Sequence, residues 1–130
     1  MSFKFIAAST TALCLSGITA FAGGHGAGPV GVEEINGAEV IVDANHMTLY
    51  TFDNDAEGQS SCYDACAQNW PPLAGDAEMA LPEGYGLTER TDGSMQITYN
   101  NQPLYLWIND TNPGDMTGDG VKDVWHVARP

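Results

Sequence analysis

The chain contains the same unit twice. Setting residues 49–70 beside residues 104–125 aligns Leu49 with Leu104, Tyr50 with Tyr105, Asn54 with Asn109, Asp55 with Asp110 and Trp70 with Trp125, each pair 55 positions apart. Phe52 and Trp107 keep that offset as an aromatic exchange, and Asn45 with Asn100 extends it backwards. A fixed period of this kind marks a tandem duplication of one supersecondary unit. Whatever path the first copy takes, the second is expected to take as well.

Turn chemistry then indicates what the unit is. Asn36-Gly37 and Asp92-Gly93 tolerate the positive φ angles of tight hairpins, and each precedes strand-forming residues, 39–44 and 94–99. Second turns at Asn45-His46 and Asn100-Asn101 lead into residues 47–52 and 102–107, where alternate side chains fall on opposite faces. Each unit therefore reads as a three-stranded antiparallel meander. Tyr50 and Phe52 share one face, as do Tyr105 and Trp107, while Leu49 and Leu104 point to the other. Such aromatics serve either as an exposed binding platform or as paired core packing, and a small domain needs its aromatics inside. Beyond the third strand the units are expected to diverge. The first continues into a short helix around residues 62–69, capped by Ser60 or Ser61 and stopped by Pro71-Pro72. The second runs through an acidic, Gly-rich loop into a last strand at residues 123–128. The expected fold class is mainly β: two tandem pseudo-equivalent antiparallel meanders, about 31–75 and 86–130, forming one small domain with one short helix.

The amino terminus reads as an export signal. Lys4 supplies a positive start, residues 5–21 carry no charge, and Ala20-Phe21-Ala22 is the small-x-small pattern cut before Gly23. Residues 1–22 are thus a signal peptide, 23–30 a flexible Gly-rich leader in which His25 is a solvated residue, and 31–130 the domain. Cys14 follows Leu13, where lipid attachment requires a small side chain, so Cys14 reads as signal filling. Removing Lys4 with the signal leaves three basic residues against 17 acidic ones, a charge of −14. That field repels phosphate backbones and anionic headgroups, which argues against nucleic acid and against membrane insertion after cleavage. Basic envelope proteins and cations remain as partners, in the periplasm or outside the cell.

The segments 50–55 and 105–110 both have the form Tyr-x-aromatic-x-x-Asp, through Tyr50, Phe52, Asp55 and Tyr105, Trp107, Asp110. Together with Cys62-x-x-x-Cys66, Trp70-Pro71-Pro72-Leu73, the stretch 99–105 and the closing Val124-Trp125-His126-Val127, they resemble a bacterial family of secreted repeats described as predicted lipoproteins. The resemblance implies export and a repeated β fold and carries no biochemical function. The chain departs from the lipoprotein label in lacking a lipid-attachment cysteine.

Several side chains are candidates for chemistry. Cys62 and Cys66, the two cysteines left after cleavage, read as a disulfide in an oxidising compartment. Two alternatives stay open: a thiolate pair for copper with His126 or His46 as third ligand, and thiol exchange. Residues 115–123 place Asp115, Thr117, Asp119 and Asp123 at loop positions one, three, five and nine, with Gly120 at six and the Val121 carbonyl at seven, which suits calcium. A hydrated acidic turn fits the same residues. No nucleophile–base–orienter set, phosphate loop or haem motif is present, so an enzyme is not expected. Asp55 and Asp110 are read as caps of the turns that follow them. The sequence thus predicts an exported, acidic, non-catalytic binding or interaction module. The alternative is a copper-binding or thiol-redox accessory of periplasmic electron transfer.

Overall fold

The computed structural model describes residues 28–130; the expected signal peptide with Cys14, and the leader through residue 27 with His25, lie outside the described residues. The elements are β1 (Val30–Ile35), β2 (Ala38–Asp43), β3 (Tyr50–Phe52), α1 (Ala65–Asn69), β4 (Ala74–Gly75), β5 (Tyr85–Glu89), β6 (Met95–Tyr99), β7 (Gln102–Pro103), a 3-10 turn (Val121–Asp123) and β8 (Trp125–Val127). All strand pairings are antiparallel. Among the described residues no helix is long and apolar enough to cross a membrane.

Each unit opens with a hairpin, β1–β2 or β5–β6, and the two hairpins close differently. Asn36-Gly37 is a two-residue turn with both φ angles positive, 54° and 85°, joining Ile35 to its partner Ala38. The second hairpin takes three residues, Thr91 to Gly93, with Arg90 N donating to Ser94 O (2.7 Å) and Gly93 at φ 89°. The next connection reverses the inequality. Unit one takes three residues between Asp43 and Met47, whereas Asn100-Asn101 joins Tyr99 to Gln102 in two. The offset therefore slips to 56 along β2 and β6 and returns to 55 at the motifs. Ile41 and Ile97, both fully buried, are true equivalents. β1 begins at Val30, inside the segment expected as leader, because Val30 pairs with Asp43 and is buried.

The units then exchange their tails. Leu73, from unit one, donates its N–H to Leu104 O (2.9 Å) and accepts from Ile97 N (2.9 Å), both in unit two. Ala128, from unit two, donates to Leu49 O (2.8 Å) and accepts from Ile41 N (2.9 Å), both in unit one. β4 accordingly pairs with β6, and β8 with β3. Where the paths cross, Tyr50 and Tyr105 form a reciprocal backbone pair, N to O at 2.8 and 2.9 Å. A pseudo-twofold axis runs through that pair.

The alternation of the central strands separates two cores. Tyr50 and Tyr105 face one with Val40, Val42, Cys62, Trp70, Trp125 and Val127, while Leu49 and Leu104 face the other with Val30, Ile41, Leu73, Ile97 and Ala128. The aromatic face is thus core packing: both tyrosines are fully buried.

After the third strand the units diverge as expected: unit one continues into α1, and unit two runs through a loop with only the 3-10 turn into β8. Each path nevertheless turns through a residue of positive φ, Asp64 (57°) or Gly120 (85°), and delivers a buried tryptophan, Trp70 or Trp125, immediately or one residue after the helical turn. One expectation needs correction: Ser60 and Ser61 do not cap the helix. α1 starts after Asp64 with no side-chain cap, since both serines bond elsewhere.

Because half of each unit's pairing comes from the other, a separated repeat lacks partners for its inner strand edges and its tail. Residues 28–80 or 81–130 produced alone are expected to show no β circular-dichroism signal, and an equimolar mixture to recover it. A repeat that folds by itself would refute the exchange.

Candidate functional site

The repeated motif builds its own centre. Tyr50 OH donates to Asp110 Oδ2 (2.6 Å) and Tyr105 OH to Asp55 Oδ2 (2.7 Å), so the tyrosine of each motif binds the aspartate of the other. The second oxygen of each carboxylate caps the turn after its own motif. Asp55 Oδ1 accepts from Ser61 N (2.7 Å) and Ser61 Oγ (2.9 Å), and Asp110 Oδ1 from Thr117 N (2.9 Å) and Thr117 Oγ1 (2.6 Å). The turn-capping role read from sequence is present, and the cross-repeat bond is the part that sequence reasoning missed. Burial, and then the bond to Asp110, push the Tyr50 phenol far above its ordinary range. Burial does the same to Tyr105, whose bond to Asp55 adds to it. Burial also raises Asp55, against the opposing hydrogen bonds from Tyr105 and Ser61 and the charge of Arg90.

Beside the tyrosines stand four stacked rings. Phe52 lies on Trp125 (centroids 4.1 Å apart, 10° between planes), Trp125 on Trp70 (3.8 Å, 3°) and Trp70 on Trp107 (4.0 Å, 26°). The dyad exchanges Phe52 with Trp107 and Trp125 with Trp70, so the axis passes through the middle of the stack. Tyr50 meets Trp70 edge-on at 5.3 Å, and Tyr105 meets Trp125 edge-on at 5.1 Å, the geometry that ring quadrupoles favour. Gly118 closes one side: a Cβ there would lie 2.7 Å from Trp70 Cη2 and 3.0 Å from Trp107 Cγ. A groove of about 380 Å³ opens beside the stack between Phe52, Trp70 and Trp125, with Asn54, Asn69 and Lys122 on its rim.

Arg90, which the sequence did not single out, fastens the insert of unit one to unit two. Almost fully buried, it donates through Nη1 to Ser60 Oγ (3.0 Å) and Gln96 Oε1 (2.7 Å), and through Nη2 to Cys62 O (2.6 Å). It also lies 4.3 Å over the Tyr63 ring, a cation–π contact. Gln96 donates in turn to Leu104 O (2.7 Å), and Ser60 bonds Tyr105 OH (2.5 Å). The available signal was scarcity, since Arg90 is one of three basic residues after the signal.

The remaining candidates separate. Cys62 and Cys66 form a disulfide with Cα atoms 5.3 Å apart, with Cys62 buried at the place Gly118 holds in unit two. Both sulfurs are thereby unavailable as thiolates, and His126, the third copper candidate, bonds Asp53 Oδ2 through Nε2 (2.8 Å). His46 pairs with Glu33. In the acidic loop, Asp115 Oδ2 accepts from Thr111 N and Asn112 N (both 3.0 Å), which lowers its carboxyl below the usual range. Asp119 Oδ1 accepts from Val127 N (3.1 Å), and Thr117 is held by Asp110. Asp123 ends the 3-10 turn that Val121 begins. Among the described residues no three His, Cys, Asp or Glu side chains are placed to share a metal ion. Asp115 and Asp119 each accept backbone N–H groups in this arrangement.

A family model described as a secreted repeat of unknown function matches the chain twice, at residues 35–74 and 86–129. The chain belongs to this family. No curated protein and no solved structure matches it. Each matched segment of the secreted repeat holds one motif and residues of the tail that pairs with the other copy; the second also holds nearly all of the β5–β6 hairpin, whereas the first starts at Ile35, the last residue of β1. The sequence unit and the packing unit of this secreted repeat are therefore different objects.

Two outcomes test the site. Tyr50→Phe leaves Asp110 without its phenolic donor inside the core and is expected to cost about 2 kcal/mol, as for a hydrogen bond to a charged group; Tyr105→Phe should cost a similar amount, and urea titration measures both. With folded pKa values raised above the unfolded value near 10, the tyrosines contribute stability that is full below about pH 10 and is lost as pH rises beyond it. Ultraviolet tyrosinate absorbance should show two tyrosines ionising only as the domain unfolds. For the loop, millimolar Ca²⁺ and Mg²⁺ are expected to raise the melting temperature equally, by screening. A rise with Ca²⁺ alone that Asp119→Asn with Asp123→Asn abolishes would show a site that closes on the ion.

Proposed function

We propose that this protein is a non-catalytic module of the periplasm or cell exterior, released by cleavage before Gly23, that docks a cationic partner protein. The observation that carries the reading is where its chemistry-bearing groups point. Tyr50, Tyr105, Asp55 and Asp110 are used in joining the repeats, so the exterior is left to interact, and its net charge is strongly negative. Arg90 is buried, leaving Lys122 and Arg129 as the exposed cations among the described residues. On the β1–β2 hairpin, Glu34 stands directly opposite Glu39, both exposed. A like-charge cross-strand pair costs stability in the free protein and is relieved by a cation laid across it. Arg129 reaches only the carbonyl of Glu39 (3.2 Å).

The rival reading, a copper or thiol-redox accessory, needs the Cys62–Cys66 bond reduced. One copper bound per chain after reduction, and lost in Cys62→Ser, would favour it over partner docking.

The test combines cross-linking in the native envelope with a charge variant. Glu34→Gln with Glu39→Gln is expected to stabilise the domain by a few tenths of a kcal/mol. The same variant should weaken capture of a basic partner, and raising the salt well above physiological ionic strength should release that partner from the parent protein. Capture unchanged by both the variant and salt would refute charge-led docking.

A further inference from the structure

The groove beside the ring stack has a chemistry opposite to the rest of the surface. Its lining contains Lys122 and the amides Asn54 and Asn69 and no carboxylate, in a chain with 17 acidic residues. Two other cavities are acidic: one carries Glu33 and Asp43, the other Asp53, Asp55 and Glu57. Its volume, about 380 Å³, falls within the range of small-molecule sites.

The stack decides what kind of surface the tryptophans offer. Phe52 and Trp70 lie nearly parallel to Trp125 at 4.1 and 3.8 Å, and two rings so close cannot share one face, so both faces of Trp125 are covered. By the same reasoning Trp125 and Trp107 cover both faces of Trp70. Only the edges of these two tryptophans are left to meet the groove, which Phe52, at the end of the stack, also lines. A sugar packs on an aromatic face and finds none on either tryptophan, whereas edges carry the positive part of the quadrupole and favour electron-rich groups. Those edges and the Lys122 ammonium present the same sign, and Asn54 and Asn69 each carry an amide that can donate. Lys122 is also held in the left-handed region (φ 54°, ψ 17°), a conformation that costs a non-glycine residue energy and recurs at ligand sites.

We propose that this groove binds a small organic anion, a carboxylate on a planar or apolar body. The carboxylate pairs with Lys122 and accepts from Asn54 or Asn69, and the body lies along the edges of Trp70 and Trp125. The site is separate from the glutamate pair of the β1–β2 hairpin and stands or falls independently of partner docking.

Benzoate is a suitable probe, read by the intrinsic tryptophan fluorescence of the purified exported protein. A saturable response is expected with benzoate, and a much weaker one with benzylamine, which reverses the charge, or acetate, which lacks the ring. Lys122→Met should weaken benzoate binding roughly tenfold, the factor a charge-assisted contact carries. Asn69→Asp, which places a like charge on the rim, should weaken it with Lys122 intact. Both positions are exposed, so an unchanged melting temperature confirms that the fold is kept. The proposal is overturned by no saturable response up to about 10 mM, where a millimolar site would be largely filled. It is equally overturned by benzylamine binding as well as benzoate, or by affinity indifferent to both variants.

Discussion

The hydrogen bond between a tyrosine of one repeat and an aspartate of the other, made twice, is the constraint around which the domain is arranged. Each phenol lies in a dry core and each carboxylate has lost much of its water, so neither is tolerable without the other. Their reciprocity fixes the axis. Once Tyr50 faces Asp110 and Tyr105 faces Asp55, the central strands must run side by side and the tails must cross. The tryptophans those tails carry then meet on the axis as adjacent members of one stack.

The symmetry is kept by the backbone and relaxed in the side chains. Val40 of unit one is replaced at its equivalent by Gln96, equally buried, whose amide is satisfied by Arg90 and by Leu104 O. Cys62, tied to Cys66, is replaced by Gly118, where the tryptophan rings leave no room for a Cβ. One repeat has thus become the polar, arginine-clamped half and the other the aliphatic one. Both halves contribute to the lining of the groove, Lys122 from one and Cys66 from the other.

Much of this was legible in the sequence, and the boundary of legibility has a physical cause. The 55-residue offset, the Asn-Gly turn and the alternation through Tyr50 and Tyr105 report local geometry, so they gave the meanders and the two faces. The exchange of tails is a choice of partner between two equivalent surfaces, and equivalence in sequence makes those choices look alike. For the same reason Asp55 and Asp110 could be read as turn caps, which depend on neighbours six or seven residues away, and not as acceptors for phenols about 50 and 60 residues distant. Ser60 and Ser61 looked like helix caps because nothing local shows that Tyr105 and Asp55 compete for them. The calcium spacing counted side chains along a loop, whereas Asp115 accepts from the backbone of the turn before it and Asp119 from Val127 in β8.

The crossing of the tails has a consequence for origin as well as for folding. A chain carrying a single copy would find a partner for its tail, its tyrosine and its aspartate only in a second such chain, related to it by a true twofold axis. Two-strand exchange about a dyad is how identical subunits form closed pairs. In this architecture the modern protein is a homodimer written on one chain: its linker, residues 76–84, converts a concentration-dependent assembly into one that folds at any dilution. Fusion also freed each half to mutate alone, which no symmetric pair of identical subunits can do.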